Sequence, residues 1–170
     1  MHNRLAEQCE PLATRDSRET YFVLHADRNA KIRAEVLDIK RLLRTEKEFQ
    51  LWTPELKEPF PLSSAAAGQA MTKLTGSDFS CGEPCDREGF IALAEAGGVT
   101  VATVDKRRHG YHLGNCLLEF AEVSIDGRDR HTVAVESEDL AQAASAARTL
   151  GIDDLPNESY PVAIRRVLEL

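Results

Sequence analysis

Ala30-Lys31-Ile32-Arg33, followed by Leu37-Asp38-Ile39-Lys40-Arg41-Leu42 and, much later, by Lys106-Arg107-Arg108, is the pattern on which the fold turns. Cations stand two apart in segments that read as strands, and alternate residues of a strand share a face. Lys31 with Arg33, and Lys106 with Arg108, therefore project as pairs from one surface of a sheet, while Ile32 and the flanking apolar residues pack elsewhere. Such a surface is suited to an anion.

The neighbouring sequence extends this reading. Short runs of strand formers predict strands over 20–25, 31–33, 35–43 and 48–52, separated by polar breaks. Pro54, Pro59 and Pro61 then crowd around Glu55-Leu56-Lys57-Glu58 and predict an irregular crossing rather than a ladder, because proline lacks the donor a ladder uses. Ser63 or Ser64 caps a helix over 65–74 that Gly76 stops, and Asp86 caps another over 87–96 that Gly97-Gly98 ends. Three long strands follow, over 99–108, 111–125 and 128–136, with Asp126-Gly127 as a two-residue hairpin signal between the last two. Ser137 with Leu140 opens a helix over 140–150 that Gly151 closes, and a last helix runs over 160–170 with Pro161 in its first turn. At the other end, Leu5, Ala6, Cys9 and Leu12 recur at helical intervals, which predicts a short amphipathic helix over 2–13. The organisation is an N-terminal helix and linker over 1–18 and one α+β domain over 19–170.

A chain of 170 residues is long enough for one domain with a proper core. Its composition, 42% hydrophobic and 29% charged, is that of a globule rather than a disordered chain. No apolar run approaches the roughly 20 residues a membrane helix needs, so no membrane partner is expected. The first residues lack the apolar core of a secretory signal, and the default address is the cytoplasm. A net charge of −7 repels polyanions at long range and counts against a protein that binds duplex nucleic acid. The basic residues must act locally. Cys9, Cys81, Cys85 and Cys116 read as thiols, and the loop Cys81-Gly82-Glu83-Pro84-Cys85 has no second ligand pair at zinc-finger spacing.

Sheet alternation also sorts the acids. Glu119 and Glu122 point to opposite faces of their strand, so at most one can look into any given site. Any single Lys or Arg is more often a solvated surface residue than a ligand group. Five of them on strands from both halves of the chain, Lys31, Arg33, Lys40, Lys106 and Arg108, need a bound anion or interleaved carboxylates to neutralise them. Glu136, with Glu119 or Glu122, could supply those carboxylates or hold a divalent cation; a structural salt bridge inside a barrel is the alternative. His109 and His112 flank a Gly-Tyr turn and read as exposed loop residues. There is no serine-histidine-acid motif and no glycine-rich phosphate loop.

The ordered series Glu19-Thr20-Tyr21-Phe22, Ala30-Lys31-Ile32-Arg33, Leu37-Asp38-Ile39-Lys40-Arg41, Asp105-Lys106-Arg107-Arg108-His109-Gly110-Tyr111, Leu118-Glu119-Phe120-Ala121-Glu122-Val123, Thr132-Val133-Ala134-Val135-Glu136-Ser137-Glu138 and Glu158-Ser159-Tyr160 resembles the CYTH family. That family is the triphosphate-tunnel fold of class IV adenylate cyclases, thiamine triphosphatases and inorganic triphosphatases. The resemblance implies an antiparallel β-barrel or tunnel of eight strands with flanking helices, its interior lined by cations that grip a triphosphate and acids that hold Mg or Mn. The matching phosphate-binding positions are Lys31, Arg33, Lys40, Lys106 and Arg108, and the matching metal positions are Glu122 and Glu136, with Glu119 beside them. A phosphorylated small-molecule anion is the partner it implies.

Two departures from the family pattern bear on activity. Residues 1–18 contain no Glu-x-Glu-x-Lys strand, and Ala134 stands where the first acid of the later Glu-x-Glu belongs. Magnesium relies on a few well-placed carboxylates plus substrate phosphates, so these losses impair metal-dependent phosphohydrolase or cyclase chemistry. The expected function is binding of a triphosphate or polyphosphate anion, with impaired catalysis by residues left unassigned, or a non-catalytic binding or scaffolding domain of the same fold. A tunnel without its first strand leaves a sheet edge open. That edge is expected to pair with another copy of the chain or with the N-terminal helix.

Overall fold

The computed structural model describes residues 2–23 and 25–170. Leu24, inside the strand expected over 20–25, lies outside the described residues. The chain runs α1 (His2–Gln8), β1 (Glu10–Val23), β2 (Arg28–Arg33), β3 (Val36–Glu46), β4 (Phe49–Pro59), α2 (Ser64–Thr75), α3 (Arg87–Ala96), β5 (Thr100–Leu113), β6 (Cys116–Ile125), β7 (Arg128–Glu136), α4 (Leu140–Leu150) and α5 (Tyr160–Leu168). The seven strands form one sheet in the order β4-β3-β2-β1-β5-β6-β7. The α+β class and antiparallel pairing follow the expectation, but the sheet is open: β4 and β7 end it, where a tunnel would close. Among the described residues no helix is long and apolar enough to cross a membrane.

Two compact units divide the chain, one of residues 18–104 and 158–170, the other of 1–17 and 105–157. In the first, the ladder fixes which side chains share a face. Thr20 lies opposite Ile32 and Phe22 opposite Ala30, while Ile32 and Ala30 lie opposite Leu37 and Ile39. This apolar face packs on Ala67, Ala70, Met71 and Leu74 of α2 and on Phe90 and Ala94 of α3. Each fully buried large side chain contributes about 1.5–3 kcal/mol relative to exposure. Both helices begin where expected: Ser63 accepts a hydrogen bond from the Ala66 N–H and Asp86 from that of Gly89.

In the second unit, Leu5 of α1 and Ala146 and Leu150 of α4 cover Tyr111, Cys116, Leu118 and Phe120. Arg4 ties the two helices by donating to the Leu150 carbonyl at 2.7 Å. Asp126 and Gly127 make the hairpin turn with φ of 44° and 81°, the left-handed pair a two-residue loop requires.

Four local expectations are corrected. The helix expected over 2–13 ends at Gln8, and what read as linker is the first half of the 14-residue β1. That half is almost wholly exposed, so it carries no apolar alternation by which a strand could be recognised. β4 continues through Pro54 to Pro59 as a ladder with β3, because it is an edge strand and its outer side needs no donor. A register shift between Ile39 and Lys40 absorbs the irregularity. β5 runs unbroken through Gly110, so His109 and His112 are strand residues. The Leu12 side chain lies only 3.3 Å from where a Cβ on Gly110 would sit, and glycine makes that approach free of conflict. Finally, α4 is capped by Asp139, whose carboxylate accepts from Ala141 and Gln142, and Ser137 instead accepts from the Asp139 N–H.

Candidate functional site

The face of β1 to β4 opposite the α2 and α3 core holds the chemistry of the first unit. Tyr21 lies across from Lys31, Lys31 from Asp38, and Asp38 from Lys57; Arg33 lies two residues on from Lys31, and Lys40 lies across from Asn29 on the same face. With Glu19, which shares the face of Tyr21, these strand positions set four cations against two carboxylates. That surplus sits in a chain whose net charge is −7.

Glu19 is the centre of the arrangement and is fully buried, at 0% exposure. Its Oε2 lies 3.2 Å from Lys31 Nζ and accepts from the Tyr21 hydroxyl at 3.0 Å, while Oε1 lies 3.6 Å from Arg33 Nη1. The Lys31 ammonium also stands 5.6 Å from the centre of the Tyr21 ring, which in turn stacks on Tyr160 at the start of α5, 5.3 Å between centroids. Lys31 is mostly enclosed, whereas the Arg33 side chain is 44% exposed and reaches solvent.

Burial lowers the Lys31 pKa below the ordinary lysine value of 10.5, and the Glu19 carboxylate only partly offsets it. Burial also raises Tyr21 well above 10.0, with the Glu19 charge adding to the effect, and burial raises Tyr111. A phenol whose native pKa is raised keeps its proton where the unfolded chain has lost it, so this contribution to stability falls as pH climbs past 10. Burial thus favours the neutral form of both Tyr21 and Tyr111 near pH 10, where a free phenol is half ionised. The phenolate absorbance of the native protein at that pH should lie well below that of the chain in denaturant, and Tyr21→Phe should narrow the difference. Equal absorbances would contradict the buried placement of Tyr21.

The second unit carries the other predicted residues. Lys106 is buried, 5% exposed, and shares a face of β5 with Arg108, away from Tyr111 and its core. Arg108 Nη1 lies 3.9 Å from Glu119 Oε2. Glu136 pairs with Leu117 and Ala134 with Glu119, so Glu136 is on the Glu119 face of the ladder. Glu122 points from the other face. There it lies opposite His131 and 3.5 Å from His109 Nε2, whose Nδ1 is hydrogen-bonded to Thr14 Oγ1 at 3.2 Å. Glu119 and Glu122 therefore cannot serve one ion together. Among the described residues no group of three or more His, Cys, Asp or Glu side chains is gathered as a metal needs. These residues do not fit a resident Mg or Mn held by protein ligands. The cysteines are free thiols.

Glu19 was not among the residues predicted for the site. Its signal was present, since Glu19 and Tyr21 alternate on one strand as Lys31 and Arg33 do on another, but the strand pairing is what brings the two sets together.

Two solved structures share this architecture over nearly the whole chain. The PH1012 protein from Pyrococcus horikoshii OT3 is 18% identical with a TM-score of 0.57, covering 96% of this chain and 90% of that one. A conserved hypothetical protein from Pyrococcus furiosus is 16% identical with a TM-score of 0.57, covering 94% of this chain and 90% of that one. No protein-family model and no curated protein matches the sequence. At these identities the likeness is one of fold, and the fold is CYTH-like, with the sheet left open.

Proposed function

We propose that the chain binds a condensed-phosphate anion, of the tripolyphosphate or nucleoside triphosphate class, through the cations on its sheet faces. The observation that carries this reading is the excess of cations around Lys31, Arg33 and Lys40 in an otherwise acidic chain. A guanidinium that is half exposed and a lysine whose ammonium is already desolvated are prepared to make charge-assisted hydrogen bonds to phosphate oxygens. Lys106 and Arg108 form a like pair on β5 and are assigned the same role. Glu19 serves as an internal counter-anion that keeps Lys31 and Arg33 in place when no phosphate is present. Among the described residues no carboxylate set is gathered as a metal needs, and Ala134 stands where the family pattern has an acid, so the role proposed is binding, with hydrolase or cyclase chemistry left to the phosphate-release assay.

Isothermal titration with sodium tripolyphosphate and with ATP tests this, with and without magnesium. Arg33→Ala should weaken tripolyphosphate binding by about tenfold or more, the worth of a charge-assisted hydrogen bond, and added salt should weaken it further. Arg108→Ala asks the same of the second pair, and an unchanged constant removes Lys106 and Arg108 from the role. No heat with either anion under any condition would end the proposal. Phosphate release in the presence of magnesium or manganese would instead make the chain an enzyme.

A further inference from the structure

The two ends of the sheet are built differently. β4 is guarded by Pro54 and Pro59 and by two register shifts, the devices that keep an edge strand from recruiting another chain. β7 has none of these. It is nine residues long, contains no proline and no lysine, and matches β6 through nine consecutive pairs from Leu117 opposite Glu136 to Ile125 opposite Arg128.

The hairpin turn fixes which of its backbone groups face outward. A two-residue turn makes its closing pair, Ile125 and Arg128, a hydrogen-bonded one, so the even-numbered residues of β7 bond to β6. Asp129, His131, Val133 and Val135 then present their N–H and C=O groups on the side of β7 away from β6, where no further strand stands in the sheet order among the described residues. We propose that this edge binds the β7 of a second copy of the same chain, antiparallel, with a two-fold axis at Thr132. In that register the outward residues pair as Asp129 with Val135 and His131 with Val133, as hydrogen bonding requires. All nine residues overlap. Arg128 faces Glu136 of the second copy at both ends, so the strand is complementary in charge to its own reverse. Moving the axis to residue 131 loses both ion pairs, and moving it to residue 130 sets Arg130 against itself.

The measurement is sedimentation velocity of the full chain over a range of concentrations. A dimer is expected, and Arg128→Glu or Glu136→Arg, which set like charges together at both ends, should each weaken it by about tenfold. The double variant R128E/E136R reverses both partners and should restore the wild-type constant. Restoration also shows that the single variants had not simply unfolded. As an independent readout, Thr132→Cys sits on the axis and should give a disulfide-linked dimer under mild oxidation, while Val133→Pro removes one outward N–H and should abolish the dimer without breaking the β6 ladder. A monomer at every concentration would overturn the proposal. So would a dimer indifferent to the charge reversals, which would place the contact on another surface.

Discussion

Glu19→Ala is expected to lower stability by about 3–5 kcal/mol, the cost of removing one partner from a buried ionic cluster. The carboxylate is fully buried and is shared by Lys31, Arg33 and the Tyr21 hydroxyl. Without it, the Lys31 ammonium sits in a desolvated place with Arg33 nearby and loses the group that holds its pKa up. The sign of the pH dependence follows. A lysine whose native pKa is lowered has shed its proton where the unfolded chain still holds it, so stability rises with pH in the window below 10.5. That rise should be steeper and begin at lower pH in Glu19→Ala. The double variant with Lys31→Met should recover part of the loss, because the isolated charge goes with the lysine. Chemical denaturation at neutral and alkaline pH reads both effects.

The same variant separates an anion site from a purely structural salt bridge. A tripolyphosphate oxygen can stand in for the missing carboxylate, so the anion should raise the melting temperature of Glu19→Ala by more than that of the wild type. Equal shifts in the two proteins would mean that Lys31 and Arg33 do not meet the anion.

Phe90→Ala should cost about 3–5 kcal/mol, through lost transfer energy and the cavity left behind. Phe90 is fully buried on α3, meets Phe22 of β1 edge to face with ring centroids 5.4 Å apart, and lies 6.1 Å from the Phe60 ring. The loss of two ring contacts adds to the removed area. Phe90→Leu keeps most of the volume and should cost far less. A denaturation midpoint for Phe90→Ala within error of the wild type would show that this ring is not in the core between the sheet and its helices.

Most expectations drawn from sequence held where the cause is local, the cap of α4 excepted, which is Asp139 rather than Ser137. Asp126-Gly127 turns where the sequence signals a turn because this dipeptide readily adopts the two adjacent left-handed residues that a two-residue hairpin needs, a pair that Ala34-Glu35 and Lys47-Glu48 adopt without that signal. Ser63 and Asp86 cap their helices because a short acceptor side chain reaches the free N–H groups wherever it precedes a helix. The expectations failed where partners decide. Glu10 to Ser17 is strand because it belongs to a ladder, and its exposed side chains announce nothing. Glu55 to Glu58 is strand despite the prolines because it lies at an edge.

The sequence alone determined the alternation of Lys31 with Arg33 and of Lys106 with Arg108, the opposite facing of Glu119 and Glu122, and the α+β element order, since each follows from the two-residue period of a strand or from a cap or turn. Only the tertiary structure decided that Glu19 is buried against Lys31 and Arg33, that Glu119 is engaged by Arg108, and that β4 and β7 remain open ends. Period fixes the face on which a side chain stands, whereas register between strands distant in the chain fixes what it meets there, and register is a property of the assembled sheet.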